Sequence, residues 1–417
     1  MKMKKQMLAG AIAGLLALSL TACGGGGGTT TSPTDTQGSS TLTSSDSPLT
    51  VLIGSSGDAE TAAVTAAVAA WSAQSGIQAT VVPASNLDQQ LAQGFASGQP
   101  ADVFYLGTGS LADYASAGDL LAYGDLLPNK ADFFPSLVAN FTYNGTFYAA
   151  PKDFSTLQLI INTDMWTAAG LTDADYPTTW DQLHSVAQKL TTSDATGLVV
   201  SGQYERLGAF MVQNGSNLMS VDGTQVTANS QANVDALTFA KTMLTDGSMK
   251  FAGDIGTGWG GEAFGTGKAA MTIEGNWITG AMGSDYASIN YKVIPLPAGP
   301  VGKGTLQFTN AWGIAADSPN QQAAVDLVEY LTALPQQMNF ASAFGVMPSI
   351  QSAATQWSAA FPQLAPFMDA ASYAQGVPTL KGSNQVISDL DNQIAQLATT
   401  DPATILNSAQ SELEALM

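Results

Sequence analysis

The folded part of the chain opens with short apolar runs set between amphipathic stretches. Residues 49–54 (LTVLIG) form an apolar run, the mark of a buried strand. Residues 58–76 place Val64, Val68 and Trp71 at i, i+4 and i+7, which predicts a helix closed by Gly76. The pair then recurs: a strand in 77–83 (IQATVVP), a helix in 87–98 with Leu87, Leu91 and Phe95 on one face, and a strand in 101–107 (ADVFYLG). Strands alternating with helices at this spacing predict βαβ units and a mostly parallel sheet covered by helices, an α/β fold.

The middle repeats this grammar. Residues 157–163 read as a strand, and 179–192 as a helix with a Thr cap, an acidic first turn and Leu183, Val186 and Leu190 on one face. A helix is expected over 230–247 with Val234, Leu237 and Leu244 inward, strands over 269–275 and 308–317, a helix over 320–334, and helices again over 382–417. Trp71, Trp166, Trp180 and Trp357 fall on helix faces and read as core. No short-period internal repeat is visible.

Composition narrows the picture. The 417 residues suit two or three domains, and 45% of them are hydrophobic, ample for a core. Only 11% are charged, and arginine occurs once, at Arg206. Residues 1–22 hold Lys2, Lys4 and Lys5 and no acid; without them 10 basic residues face 33 acidic ones. Nucleic acid and anionic headgroups need clustered Lys and Arg, so both are set aside as partners.

The N-terminus has a basic start, an apolar stretch over 7–20 and then Leu-Thr-Ala-Cys. It resembles a bacterial lipoprotein signal over 1–22, with Cys23, the sole cysteine, as the lipidated residue. Residues 24–48 are a low-complexity Gly/Ser/Thr tether, spanning on the order of 25–30 Å as a coil. No later stretch reaches the roughly 18 apolar residues a spanning helix needs. The expected location is extracytoplasmic, held at the cell membrane through Cys23.

Several chemistries fall away. His184 is the single histidine, inside an amphipathic helix, where it reads as a surface residue. One His and one Cys make neither a zinc cluster nor HExxH, so no metal and no cofactor is expected. The Gly-Thr-Gly-Lys of 265–268 fails as a phosphate loop, because Glu262 and Ala269 stand where that motif needs Gly and Ser/Thr. Gly265 and Gly267 read instead as a turn into the strand that follows. Asp153, Glu262 and Glu274 could serve as paired glycosidase carboxylates, or as acceptors for the hydroxyls of a bound sugar.

Landmarks along the mature chain then agree. They are residues 100–126 (PADVFYLGTGSLADYASAGDLLAYGDL), 143–171 (YNGTFYAAPKDFSTLQLIINTDMWTAAGL), 209–230, 258–277 (GWGGEAFGTGKAAMTIEGNW), 309–318 (TNAWGIAADS), 344–350 (FGVMPSI) and 376–394. In order and spacing they resemble the maltose-binding-like, sugar-carrying branch of the extracellular solute-binding proteins of bacterial ABC importers. The resemblance implies a two-lobed periplasmic-binding-protein fold with crossing strands as a hinge. It would put 49–151 and 312–344 in the first lobe, and 153–309 and 349–417 in the second. It implies a monomer that binds a carbohydrate without catalysis and delivers it to permease subunits. A surface glycosidase or a receptor's sensing subunit are the alternatives.

By the same resemblance, ligand contacts would come from Trp277 and Glu274, from Trp312 and Asn310 at the second crossing, and from Asp153 at the first. Tyr105 with Gly107–Ser110, Trp259, Glu262, Tyr204, Ser55 and Ser56 complete the set. Rings suit the C–H faces of sugars and carboxylates accept from their hydroxyls. The sparse aromatics of the first lobe point to a short ligand.

Overall fold

The computed structural model describes residues 42–54 and 57–417. The predicted signal, Cys23, Ser55 and Ser56 lie outside the described residues. Thirteen strands, β1 to β13, are Leu49–Ile53, Ala79–Pro83, Val103–Gly107, Thr142–Tyr143, Thr146–Phe147, Ala150–Thr156, Gln158–Asn162, Thr196–Val200, Met249–Phe251, Ala269–Glu274, Tyr291–Ile294, Thr305–Ile314 and Ala374–Gln375. One sheet runs β13-β12-β3-β1-β2, with β6 also paired to β12; a second runs β11-β7-β10-β8-β9; β4 and β5 make a hairpin.

Both large sheets are mixed, which refines the expectation of mostly parallel ones. In the first, β1 pairs in parallel with β2 and β3, while β12 is antiparallel to β3 and β6. In the second, β8 is parallel to β9 and β10, while β7 is antiparallel to β10 and β11. The antiparallel neighbours are β7 and β12, and β13 adds a parallel edge beside β12.

Helix identities follow the predicted periodicity. The helix Asp58–Ser75 buries Val64, Val68 and Trp71 and ends on Gly76. Thr179 caps Trp180–Leu190 by accepting from the Gln182 amide, and that helix buries Leu183, Val186 and Leu190. Trp71, Trp166, Trp180 and Trp357 are all buried. His184 sits on its helix against Asp246 at 2.5 Å.

Two strands thread both lobes. In β6, Ala150 packs in the first-lobe core, while Leu157, just beyond its end, packs in the second. In β12, Leu306 belongs to the second-lobe core and Trp312 and Ile314 to the first. A third cluster, with Phe154, Ile160, Phe264, Met347, Trp357 and Phe367, joins the crossing strands to the second sheet. The strand β12 is continuous over ten residues, so no loop divides the lobes between 309 and 312. Its register shifts between Asn310 and Ala311, opposite Asp153 and Pro151.

Candidate functional site

In open α/β sheets, ligands sit outside the carboxyl ends of the parallel strands. In the first lobe those ends are Gly54 after β1 and Gly107 after β3. A cavity of about 480 Å³ lies there, lined by Gly54, Asp88, Gly107–Ser110, Asn140, Asn384 and the β12 residues 307–310 among others. Asp88 is the one charged residue in this lining among the described residues. A larger cavity of about 700 Å³ runs along the helix Gln351–Ala360 and holds none of the sequence-predicted site residues.

In the second lobe, β8 and β10 end side by side. After β8 the chain enters the helix Tyr204–Gln213, and after β10 it turns through Gly275 to Trp277. Glu274, the last residue of β10, is fully buried. Its Oε2 accepts from Arg206 Nη2 at 2.8 Å and from Trp277 Nε1 at 2.9 Å. The guanidinium also lies 5.3 Å from the Trp277 ring centroid. Burial pushes the Glu274 carboxyl up, and the charge and hydrogen bond of Arg206 pull against it. A Cβ at Gly275 would come within 2.2 Å of the Trp277 ring and 2.5 Å of Ser155 Oγ, so only glycine lets the ring fold back. Trp277 is thereby held in place yet 38% exposed. Its ring meets Phe308 edge-on at 5.6 Å, and Phe308 lines the cavity.

A second charged group lies at the first crossing. Lys152 pairs with Asp153, and at 3.1 Å with Glu60, whose carboxylate also accepts from Tyr105 Oη at 2.9 Å. All four residues are buried. Burial would lower the Lys152 pKa, but Asp153, Tyr105 and Glu60 outweigh it and hold the ammonium charged, above its ordinary value. Burial raises Asp153, against the pull of Lys152.

The sequence-predicted residues therefore divide. Exposed Asn310 and Gly107–Ser110 line the 480 Å³ cavity, and Trp277 stands next to it through Phe308. Trp312, Tyr105 and Tyr204 are 1%, 2% and 0% exposed, and their rings pack in the core of this structure. Trp312 packs edge-on to Tyr105 at 4.9 Å, and Tyr204 Oη is spent on Asn217 at 2.6 Å. Glu274 and Asp153 are committed to internal cations. Glu262 accepts from the Gly258 amide at 2.6 Å, four residues back, and Trp259 is half-buried against the third cluster. Gly265 closes the helix Gly260–Gly265, and Gly267, at φ +74°, makes the turn into β10. Asp88, Asn140, Phe308 and Asn384 were not foreseen. Phe308 carried a signal, standing two residues before Asn310 on the same strand face.

A sequence pattern described as "bacterial extracellular solute-binding protein" matches residues 54–338. Among curated relatives, the diacetylchitobiose-binding protein DasA of Streptomyces coelicolor is 26% identical over 276 residues, 64% of this chain and 64% of its own. Among solved structures, the GacH receptor of Streptomyces glaucescens, determined unliganded and with acarbose, matches with a TM-score of 0.76 at 23% identity, covering 89% of this chain and 98% of its own. The cyclic alpha-maltosyl-1,6-maltose binding protein of Arthrobacter globiformis matches with a TM-score of 0.78 at 20% identity, over 88% and 98%. Both show the same two-lobed fold.

Proposed function

Because this chain belongs to the bacterial extracellular solute-binding proteins, we propose that it captures an uncharged carbohydrate between its lobes and hands it to an ABC importer's permease. The observation that carries this is Trp277, an exposed ring pinned by Glu274 and Arg206 beside a cavity whose described lining contains no cation. A ring offers its face to sugar C–H groups, and carboxamides and hydroxyls serve the hydroxyl rim. An anionic ligand would need a free Arg or Lys, and the cleft's Arg206 is already paired with Glu274. Closure of the lobes about β6 and β12 would complete the contacts.

Binding without turnover fits the carboxylates. Asp153, Glu262 and Glu274 each spend one oxygen on an internal partner, and Glu274 is fully buried, which suits structural support more than acid–base work. Relatives that bind saccharides, such as the diacetylchitobiose-binding protein, support the ligand class. A calorimetric and thermal-shift panel tests it. Stabilisation by an amino acid, peptide or polyamine, with none by mono- or oligosaccharides, would sink the carbohydrate reading. Turnover of glycosides that disappears in Glu274→Gln would favour an enzyme instead.

We also propose a monomer anchored through lipidated Cys23. Among the described residues no helix is long and apolar enough to cross a membrane, so the attachment would rest on the lipid alone. Mass spectrometry of the membrane-extracted protein should show acyl chains that Cys23→Ser lacks.

A further inference from the structure

The first-lobe loop after β3 and the closing helix Ser383–Ile394 meet at one point. A Cβ on Gly109 would lie 2.0 Å from Asn384 Oδ1 and 2.6 Å from its Nδ2. The carboxamide therefore rests on the bare glycine, in space that any other residue would fill. Asn384 is the second residue of its helix, follows Gly382 at φ +82°, and lines the 480 Å³ cavity together with Gly109. Its approach is fixed on both sides. Lys381 Nζ donates to Ser116 Oγ of the first lobe at 3.1 Å, and Asn217 Nδ2 of the second donates to the Gly376 carbonyl at 3.2 Å. Ser383 is buried and donates to the Pro378 carbonyl at 3.2 Å.

Asn384 thus reaches from an element packed on the second lobe onto the strand-end loop of the first. No hydrogen bond to another described residue engages its carboxamide, and that group carries two donors and an acceptor. Val377, from the same segment, lines the cavity beside it. Val377 is half-buried there and Asn384 exposed, so the carboxamide is accessible from the cavity.

We propose that Asn384 is a specificity-determining residue: its carboxamide, seated on Gly109, bonds a ligand hydroxyl and closes the cavity, limiting the ligand to a short, uncharged saccharide. This rests on the carbohydrate reading above. A site built to hydrogen-bond a hydroxyl loses affinity when the partner goes, and a wall that is removed admits a longer ligand. The two effects move in opposite directions for short and long sugars, which a general loss of folding cannot do.

The test uses the chain with Asn384→Ala and, separately, Gly109→Ala, whose added Cβ displaces the carboxamide. Calorimetry is run with maltose, maltotriose, N,N'-diacetylchitobiose and its trisaccharide homologue, and with sn-glycerol 3-phosphate as an anionic control. The expected result is a wild type at least tenfold tighter for a disaccharide than for its trisaccharide. Asn384→Ala should weaken the disaccharide at least tenfold and narrow that ratio, with an unliganded melting temperature unchanged within about 2 °C. Gly109→Ala should shift the ratio the same way. Wild-type sugar binding with an unaltered length preference in Asn384→Ala overturns this inference and leaves the carbohydrate reading standing. Binding of sn-glycerol 3-phosphate and of none of the sugars overturns both.

Discussion

Two buried acid–base groups flank the cleft, and they do different work. Lys152 stands between two carboxylates, Asp153 beside it and Glu60 from 92 residues away, with Tyr105 closing the group. It ties the helix Asp58–Ser75 to the first crossing strand and presents no ring to the cleft. Among the described residues Arg206 forms a direct ion pair with Glu274, 68 residues away, and that same carboxylate holds Trp277 at the surface. The first group is a clamp and the second a mount. Burial of charge is common to both; what differs is whether a partner extends outward.

The sharpest way to break the comparison is Lys152→Met. It leaves Glu60 and Asp153 buried without their cation, a change that typically costs about 3–5 kcal/mol. Urea unfolding should show a lower midpoint with the slope unchanged. Surviving folded protein should keep its sugar affinity within about threefold. A loss of binding as large as that in Trp277→Ala would mean the clamp is part of the ligand site.

Trp277→Ala comes next, and its effect is on binding. Losing one stacked ring weakens sugar affinity by roughly 10- to 100-fold, on the scale of a ring's apolar face. Stability should change little, because the ring is already 38% exposed. Arg206→Met should weaken binding too, and the double variant should fall short of the sum, since both act through one ring. Additive losses would show that Arg206 touches the ligand on its own.

The mount was half-legible in the sequence. The spacing of Glu274 and Trp277 after a strand placed both at the cleft, and the lone arginine was visible beside Tyr204. Their joining was not, because it depends on β8 and β10 ending together, which is a matter of strand order. The clamp was less legible still. Asp153 was noticed, but Lys152 and Glu60 gave no signal, since a lysine next to an acid is ordinary on a surface. The burial of Tyr105 and Trp312 was not legible, because an aromatic near a strand end faces the core or the cleft according to pleat, and that of Tyr204 was not, because it depends on how the helix Tyr204–Gln213 packs. Helices were read well because their apolar period is local. Asn384 could not be read, because what brings it to the cavity is the bare backbone of Gly109, 275 positions earlier in the chain.

Asp391 sharpens the second group by pH. It accepts from the Tyr204 amide at 2.8 Å, next to Glu205 and Arg206. Burial first, then the Glu205 charge, lift its pKa from 3.8 to about 7, while the Tyr204 hydrogen bond and Arg206 pull it down. An acid whose folded pKa is raised holds its proton more tightly when folded. Its contribution is therefore full below about pH 4 and is lost as pH climbs towards 7. Melting temperatures from pH 4 to 8 should fall more steeply in the wild type than in Asp391→Asn. Parallel curves would show that the carboxyl does not titrate in this window.

Lys268→Ala should give the smallest effect, and it separates a conspicuous motif from a working one. Lys268 lies in the same twenty-residue stretch as Trp277, and its Gly-Thr-Gly-Lys invites a phosphate-binding reading. In the fold it is exposed, its ammonium donating to the Ile255 carbonyl at 3.3 Å at the start of β10. Glu274 and Trp277 leave the strand's other end, six and nine residues on. A strand rises roughly 3.3 Å per residue, so the lysine sits about 20 Å from Glu274 along β10. Removing one exposed hydrogen bond there should change stability by less than about 0.5 kcal/mol and sugar affinity less than twofold. Calorimetry of Lys268→Ala beside Trp277→Ala reads the contrast directly. Equal losses would show that the effect of Trp277→Ala is not particular to the end of β10 where the ring stands.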